Sequence, residues 1–264
     1  MSIKRFIANA DNTIVNTYDD NLSTRATGSN TGQADVVEVY SIWERQSLSS
    51  SATTGSQELS RVLMSFPISE ISASRASGSL PASGSVSFYL RVFEAEHSRT
   101  IPRNFKFVVQ AVSQSWEEGD GLDITQYKDL TRNQVGSNWI RASKDAAWSS
   151  IGGTYHATPT YTQHFSGGIG DIEIDISEMV EQWIAGTKEN YGLGIRLSSS
   201  FEAFYSHSSG ENAENMIHNP NGAKKSYYTK RFFARGTQYF FKRPCLEARW
   251  NSTTRDDRGN FYFS

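Results

Sequence analysis

The stretch DIEIDISEMVEQWIAGTKENYGLGIRL, residues 171–197, changes its hydrophobic period twice. It begins with isoleucines that alternate with charged residues, the period of a half-buried strand. Apolar residues then recur at helical spacing, which predicts a short helix with an N-cap at Ser177 and a left-handed end at Gly186. The strand period then returns, so we predict strand, helix, strand. The three apolar sets are Ile172, Ile174 and Ile176; Met179, Val180, Trp183 and Ile184; and Leu193, Ile195 and Leu197.

The flanking sequence is dominated by strand patterns. Every second residue is apolar in SVSFYLRVF and NFKFVVQAV. SRVLMSFPISEI is a buried run stopped by Pro67. Three further segments fit strands: FEAFYSHSSG, YYTKRFFARG and QYFFKRPCLEARW. RQSLSSSATTGSQE fits an exposed loop, and residues 117–163 fit long loops packed down by Trp139 and Trp148. We therefore predict an all-β fold, a jelly roll or β-sandwich of eight to ten antiparallel strands with one short helix and long loops.

Composition excludes several classes of protein. With 264 residues, 37% hydrophobic, the chain can bury a core, and its net charge of −2 gives no basic field for nucleic acid. It contains no run of eighteen apolar residues, so we expect no membrane-spanning helix. MSIKRFIANADNTI has no apolar segment after its basic residues, so we expect no signal peptide and synthesis in a cytoplasm. Cys245 is the single cysteine, and its alternating neighbours favour a buried thiol in a strand.

Motifs for catalysis or metal binding are absent from the sequence. The five histidines have no metal-ligand spacing, and neither a nucleophile elbow nor a phosphate-binding glycine loop is present. The pair His156 and His164 remains a weak alternative as metal ligands. We therefore predict no enzyme and no catalytic, cofactor-binding or metal-binding residues. The histidines are His97, His156, His164, His207 and His218.

The segment SWEEGDGLD concentrates carboxylates between glycines. A solvated acidic loop is the simplest interpretation. A structural cation and a paired-carboxylate hydrolase are the alternatives, although the spacing does not match an EF-hand. The carboxylates are Glu117, Glu118, Asp120 and Asp123.

Residues 224–243 combine aromatic and basic side chains. We interpret them as a pair of strands at an interface, with a plain sandwich edge as the alternative. A nucleic-acid surface would use the same residue types, but the net charge argues against it. The positions that alternate are Tyr228, Arg231, Phe233 and Arg235.

The order of these segments resembles the DNRLRE domain, a jelly-roll-like module of bacterial surface proteins and some phage particles. The matching segments are ADNTI, SRVLMSFPISEI, SVSFYLRVF, SWEEGDGLD, VGSNWIRASKDAAW with GGTY, the opening stretch, FYSHSSG and KRPCLEARW. The resemblance covers the chain from about Asp11 to Trp250. It implies a sandwich over residues 1–250, with residues 251–264 as a C-terminal extension or assembly arm. It also agrees with Trp183 as a buried plug over the rim of the core rather than a sugar-binding platform.

The whole sequence is similar to structural proteins of tailed phages of marine bacteria. The similarity implies a non-enzymatic virion protein of the tail, neck, baseplate or capsid. Such a protein would contact other virion proteins in multiple copies or as a homo-oligomer, without nucleic acid or membrane. The alternative function is a carbohydrate-binding module that contacts host or environmental glycans, and a glycan-degrading enzyme is a weaker one. Because residues 251–264 end in three adjacent aromatics, we expect them to dock against a neighbouring subunit or, alternatively, to fold back.

Overall fold

The computed structural model describes residues 1–17, 28–49, 52–96, 102–122, 135–202 and 227–252. Within them the chain forms two antiparallel β-sheets with eleven strands in all and three α-helices. The predicted all-β sandwich is confirmed, whereas the predicted eight to ten strands and single helix are too few. The strands are β1 (Ser2–Ile7), β2 (Ala10–Asn16), β3 (Val36–Ser49), β4 (Ala52–Ser65), β5 (Ser87–Val92), β6 (Phe105–Val112), β7 (Tyr155–Phe165), β8 (Ile172–Asp175), β9 (Leu193–Leu197), β10 (Tyr227–Phe233) and β11 (Cys245–Trp250). The helices are α1 (Ile68–Ala76), α2 (Ser177–Ile184) and α3 (Ser199–Glu202).

The two sheets differ in size. The smaller sheet has the order β1-β11-β5-β8, so the first strand pairs with the last and Ser2 lies opposite Trp250. The larger sheet has the order β10-β3-β4-β9-β6-β7, and β2 adds to β4. Leu59 of β4 is the partner of both Asn16 in β2 and Ser41 in β3.

The helix inside residues 171–197 connects the two sheets. Strand β8 lies in the smaller sheet and β9 in the larger, so α2 crosses between them. Helix α1 makes the same crossing from β4 to β5, and the Arg75 guanidinium joins the two helices by donating to both carboxylate oxygens of Glu181, at 2.8 and 2.6 Å. Trp183 of α2 is only 4% exposed and packs in the main core, as predicted.

Only the C-terminal end of α2 agrees with the end predicted from the sequence. Gly186 has a φ of +67°, and Thr187 N–H donates to the Gln182 carbonyl at 3.1 Å, the hydrogen bond of a helix ending in a left-handed residue. The predicted N-cap at Ser177 is wrong. Ser177 is the first helical residue, and its hydroxyl accepts from Phe88 N–H at 2.8 Å while its own N–H donates to Asp175.

The main core is a cluster of buried apolar side chains from both sheets, α1 and α2. The alternating positions predicted in residues 171–197 and in SVSFYLRVF and NFKFVVQAV all lie in it. Four predicted strands are therefore confirmed with the predicted face inward. These positions are Ile172, Ile174 and Ile176; Leu193, Ile195 and Leu197; Val86, Phe88, Leu90 and Val92; and Phe105, Phe107, Val109 and Ala111.

A second, smaller core covers the other face of the larger sheet. Successive residues of β4 point to opposite faces, so Val62 and Met64 enter the main core whereas Leu63 enters the second. Trp139 and Trp148 close it from the segment before β7, as predicted, and are 2% and 5% exposed. The remaining members are Ile14, Leu59, Val112 and Ala142.

Several predicted boundaries are wrong. RQSLSSSATTGSQE is not a loop, because β3 and β4 pair through it as far as Ser49 opposite Ala52. Residues after Pro67 form α1, a helix that the sequence did not predict. Tyr155 onward is strand β7, although residues 117–163 were expected to be loops. FEAFYSHSSG begins in α3 and continues outside the described residues.

Candidate interaction surface

A turn between β10 and β11 exposes three adjacent aromatic side chains. Tyr239, Phe240 and Phe241 are 56%, 55% and 77% exposed, and we call them the aromatic turn. The sequence predicted a strand here, but Phe240–Lys242 is a single 3-10 turn and the strand begins at Cys245. The rings of Phe240 and Phe241 lie 5.5 Å apart at an angle of 84°, so only one of them can present its face to a flat surface.

Basic side chains surround the aromatic turn. A pocket of about 180 Å³ beside it is lined by Arg5, Ile7, Phe240, Phe241, Arg243 and Cys245. Lys242 Nζ lies 5.5 Å from the buried ring of Phe93. No carboxylate of the described residues lies within 4.0 Å of Lys242 or Arg243. Arg243 instead donates from Nε to the Thr237 carbonyl at 3.1 Å, and its guanidinium lies 5.5 Å from the Phe240 ring. Cys245 is buried, as predicted, and burial raises the pKa of its thiol to about 11.

The outer face of the smaller sheet carries a chain of ion pairs that leads to this turn. Glu247 is 2% exposed and accepts from Arg5 at 2.8 Å and Arg249 at 2.6 Å. Burial alone would raise the pKa of Glu247, but the hydrogen bonds from the two guanidinium groups outweigh it and the pKa is lowered. The chain contains three arginines and three carboxylates and is therefore neutral: Arg5, Glu247, Arg249, Glu173, Arg91 and Asp171.

The acidic segment around Glu118 is part of the fold rather than a free loop. Glu118 accepts from Arg235 at 2.7 Å and from the Asp11 amide at 2.8 Å, and Glu117 accepts from the Lys144 amide at 3.1 Å. Asp120 has one buried oxygen without a described partner, and Asp123 lies outside the described residues. Among the residues described, no three His, Cys, Asp or Glu side chains are placed to hold a metal ion.

Asp11 is the strongly perturbed acid of this region. It is 1% exposed, and one oxygen accepts from the Arg235 amide at 2.5 Å. Burial, with a smaller contribution from the nearby Glu118 carboxylate, raises the pKa of Asp11 to about 7, although the Arg235 amide and charge oppose the rise. Sequence patterns gave no sign of this, because ADNTI contains no motif that is typical of a buried acid.

Asp11 should make stability depend on pH between about 4 and 7. The folded chain holds a proton on Asp11 that the unfolded chain has lost above pH ~4. The contribution of Asp11 to stability therefore falls as pH rises through this window and is constant above pH ~7. In Asp11→Asn the unfolding free energy should decrease less steeply with pH, by about 1.4 kcal/mol per pH unit. Urea titrations at pH 5, 6, 7 and 8 measure the unfolding free energy and hence this dependence. Asp35→Asn, at an exposed carboxylate, is the control, and equal slopes for all three proteins would show that Asp11 is ionised.

The aromatic–basic positions of β10 are divided between the core and surface pairs. Strand β10 is the edge of the larger sheet, which agrees with the sandwich-edge alternative, and Arg231 there pairs with Glu38 at 3.1 Å. Lys230 is 1% exposed, and its ammonium contacts Glu94 and donates to the Gly168 carbonyl at 3.0 Å. Burial lowers the pKa of Lys230 against the opposing effect of Glu94. Tyr228 packs against the core, Arg235 pairs with Glu118, and Phe233 stacks edge-on with Tyr239.

The weak alternative of a histidine ligand pair is wrong. His156 and His164 both lie on β7, eight residues apart, which corresponds to about 26 Å along an extended strand. Burial, followed by the charge of Lys188, lowers the pKa of His156. His97, His207 and His218 lie outside the described residues.

Comparisons with known proteins add no assignment. A scan against models of protein families found no match, and a search of curated proteins found no similar sequence. None of the described helices is both long and apolar enough to cross a bilayer.

Proposed function

We propose that this chain is a non-enzymatic structural protein of a tailed-phage particle, and that it binds other virion proteins through the aromatic turn and its basic rim. The observation that carries the proposal is a group of three exposed aromatics beside two cations without described carboxylate partners. Isolated exposed aromatics are common, but three adjacent ones with Arg and Lys around them have the composition of an interface centre. The resemblance of the sequence to virion proteins supplies the kind of assembly.

The geometry of the turn favours a protein partner over a sugar. Sugar rings stack on an aromatic face that is flat and open, whereas Phe240 and Phe241 stand nearly perpendicular to each other. A protein pocket can enclose both rings because it contacts faces and edges alike. The neighbouring pocket of about 180 Å³ offers space for one further apolar side chain.

The charges of the outer face support binding rather than catalysis. On this face Glu173 and Glu247 are each held in an ion pair with arginine, as is Glu118 of the acidic segment. A general acid or base must exchange protons with a substrate, which these paired carboxylates are poorly placed to do. An open, neutral face with a rigid pattern of charges can instead fix the orientation of a docked partner.

Incorporation into particles tests the proposal. Phe241→Asp places a charge at the most exposed aromatic, so the protein should fold normally but enter particles at a level reduced by at least about tenfold, as for the loss of an interface centre. Quantitative peptide mass spectrometry of purified particles measures it. Ile151→Asp, at a residue that is 49% exposed and lies next to the Gly152–Trp139 region of the second core, is the matched control and should incorporate normally. Normal incorporation of Phe241→Asp would contradict the assignment of this surface.

One observation favours glycan binding as a second candidate function. A pocket of about 570 Å³ on the larger sheet is lined by hydroxyl, carboxylate and guanidinium groups, including Thr13, Asp35, Glu38, Tyr40 and Arg231. Such groups can hydrogen-bond to sugar hydroxyls. Affinity electrophoresis on acidic and neutral polysaccharides, with Arg231→Ala as the comparison, tests it. Retardation of the native chain that is lost in Arg231→Ala would favour this function.

A further inference from the structure

A buried lysine contacts a carboxyl group where the two sheets meet. Lys230 of β10 points to the same face of its strand as Phe232, which lies in the main core, and it is 1% exposed. Its amine contacts Oε1 of Glu94, and Glu94 follows β5 of the smaller sheet. The contact therefore joins residues that lie 136 positions apart in the chain, and the proposed function does not use it.

The surroundings of the Lys230 amine are apolar and exclude water. Its Nζ lies 5.4 Å from the centre of the Phe165 ring and 5.6 Å from that of the Phe232 ring. It also donates to the Gly168 carbonyl at 3.0 Å, which fixes its position. Burial lowers the pKa of Lys230 against the opposing effect of Glu94, so the neutral amine is more populated than in a lysine surrounded by water. A desolvated lysine amine is an effective nucleophile.

The carboxyl group of Glu94 is placed to be attacked by this amine. Because Nζ contacts Oε1, the carboxyl carbon Cδ lies only one C–O bond further away, about 1.23 Å. Its separation from Nζ is therefore close to that of reacting atoms just before a bond forms, about 3–3.5 Å. The Gly170 amide donates to the other carboxyl oxygen, Oε2, at 2.5 Å. An amide in that position stabilises the negative charge that develops on the oxygen when an amine adds to the carbon.

We propose that Lys230 and Glu94 condense to an amide, an isopeptide bond between the two side chains. A proton first passes from Nζ to Oε1, which gives a neutral amine and a neutral carboxylic acid. The Nζ–Cδ bond then forms and the Cδ–Oε1 bond breaks. Oε1 leaves as water, with the proton it already holds and a second proton from Nζ. The reaction releases one water molecule and consumes no other reactant.

Burial favours this amide over the ion pair. An ammonium and a carboxylate lose their hydration when they are buried, whereas an amide carries no charge and costs less to bury. The other buried ion pair described above, Arg61 with Glu202, cannot react in this way because a guanidinium stays protonated. The isopeptide bond would tie β10, the edge strand of the larger sheet, to the segment that follows β5, so the edge could not detach from the sandwich.

The mass of the intact chain tests the proposal. The folded native protein is incubated until its mass no longer changes and is then denatured and weighed by mass spectrometry. It should be lighter than its sequence by one water molecule, whereas Lys230→Met and Glu94→Ala should each have the full mass of their sequences. Lys106→Met, at an exposed lysine, is the matched control and should still lack one water. A protease digest of the native chain should contain one branched peptide that joins the segments around Lys230 and Glu94.

Three results would overturn the inference. A native chain with the full mass of its sequence would show that Lys230 and Glu94 form only an ion pair. A missing water that maps to other residues, such as a succinimide at an aspartate, would assign the loss to different chemistry, as would a loss that persists in Glu94→Ala. The native mass decides even if a variant fails to fold. None of these results depends on whether the chain is found in particles, so the proposed function is tested separately.

Discussion

Replacement of Trp183 by alanine lowers the free energy of unfolding by about 3–5 kcal/mol, the range for emptying the site of a large buried aromatic. Trp183 is 4% exposed and lies in the core cluster shared by both sheets. Its indole nitrogen has no described hydrogen-bond partner, so the loss is one of packing and apolar burial. The site cannot collapse easily, because α2 is held to α1 by the Arg75–Glu181 pair.

Urea denaturation of the native chain, Trp183→Ala and Trp183→Phe measures this effect. Phenylalanine fills most of the site and makes no hydrogen bond, so Trp183→Phe should retain most of the stability that alanine loses. An unfolding midpoint for Trp183→Ala that equals that of the native chain would show that the side chain is exposed in solution. The interpretation of Trp183 as a sugar-binding platform would then return.

Replacement of Glu202 by alanine also lowers the free energy of unfolding by about 3–5 kcal/mol, because it leaves a buried guanidinium without its counter-ion. Arg61 is 8% exposed, and its guanidinium donates to both oxygens of Glu202, at 2.6 and 2.8 Å. The same group donates to the Gly152 carbonyl at 2.7 Å and lies 4.9 Å from the Trp139 ring, so the pair holds the segment before β7 against the larger sheet.

The double variant Arg61→Met with Glu202→Leu is the control for this prediction. It removes both charges and keeps apolar volume, so its stability should lie much closer to that of the native chain than to that of Glu202→Ala. Thermal and urea unfolding of the three proteins measure the difference. A loss in Glu202→Ala of less than about 1 kcal/mol, the size expected for an exposed pair, would show that the two groups remain solvated.

The sequence was sufficient for those parts of the fold whose side chains follow a regular period. Residues 171–197 predicted β8, α2 and β9 because each element buries one face, and Gly186 marked the helix end. The hairpin of β3 and β4 could not be predicted in the same way. Its outer half is a run of serine, threonine and glutamine without apolar alternation, and its pairing depends on backbone hydrogen bonds that any sequence can make.

The site was only partly predictable for a related reason. The aromatic–basic composition of residues 224–243 drew attention to the right part of the chain, but alternation in QYFFKRP suggested a strand where Phe240 and Phe241 form an exposed turn. The Asp11–Glu118–Arg235 contacts and the Arg61–Glu202 pair join residues more than a hundred positions apart. Local patterns contain no information about such pairs, so only the tertiary structure brings them together.

The central claim, that this chain is a structural component of a phage particle, is tested most directly by its copy number in purified particles. For a phage whose genome is found to encode the chain, gradient-purified particles would be analysed by mass spectrometry with isotope-labelled reference peptides from β5 and β9. We expect a fixed copy number relative to the major capsid protein, in a multiple that matches a symmetric ring or lattice. If the chain is absent, or present only in traces that vary between preparations, it is not a structural component and the account is wrong.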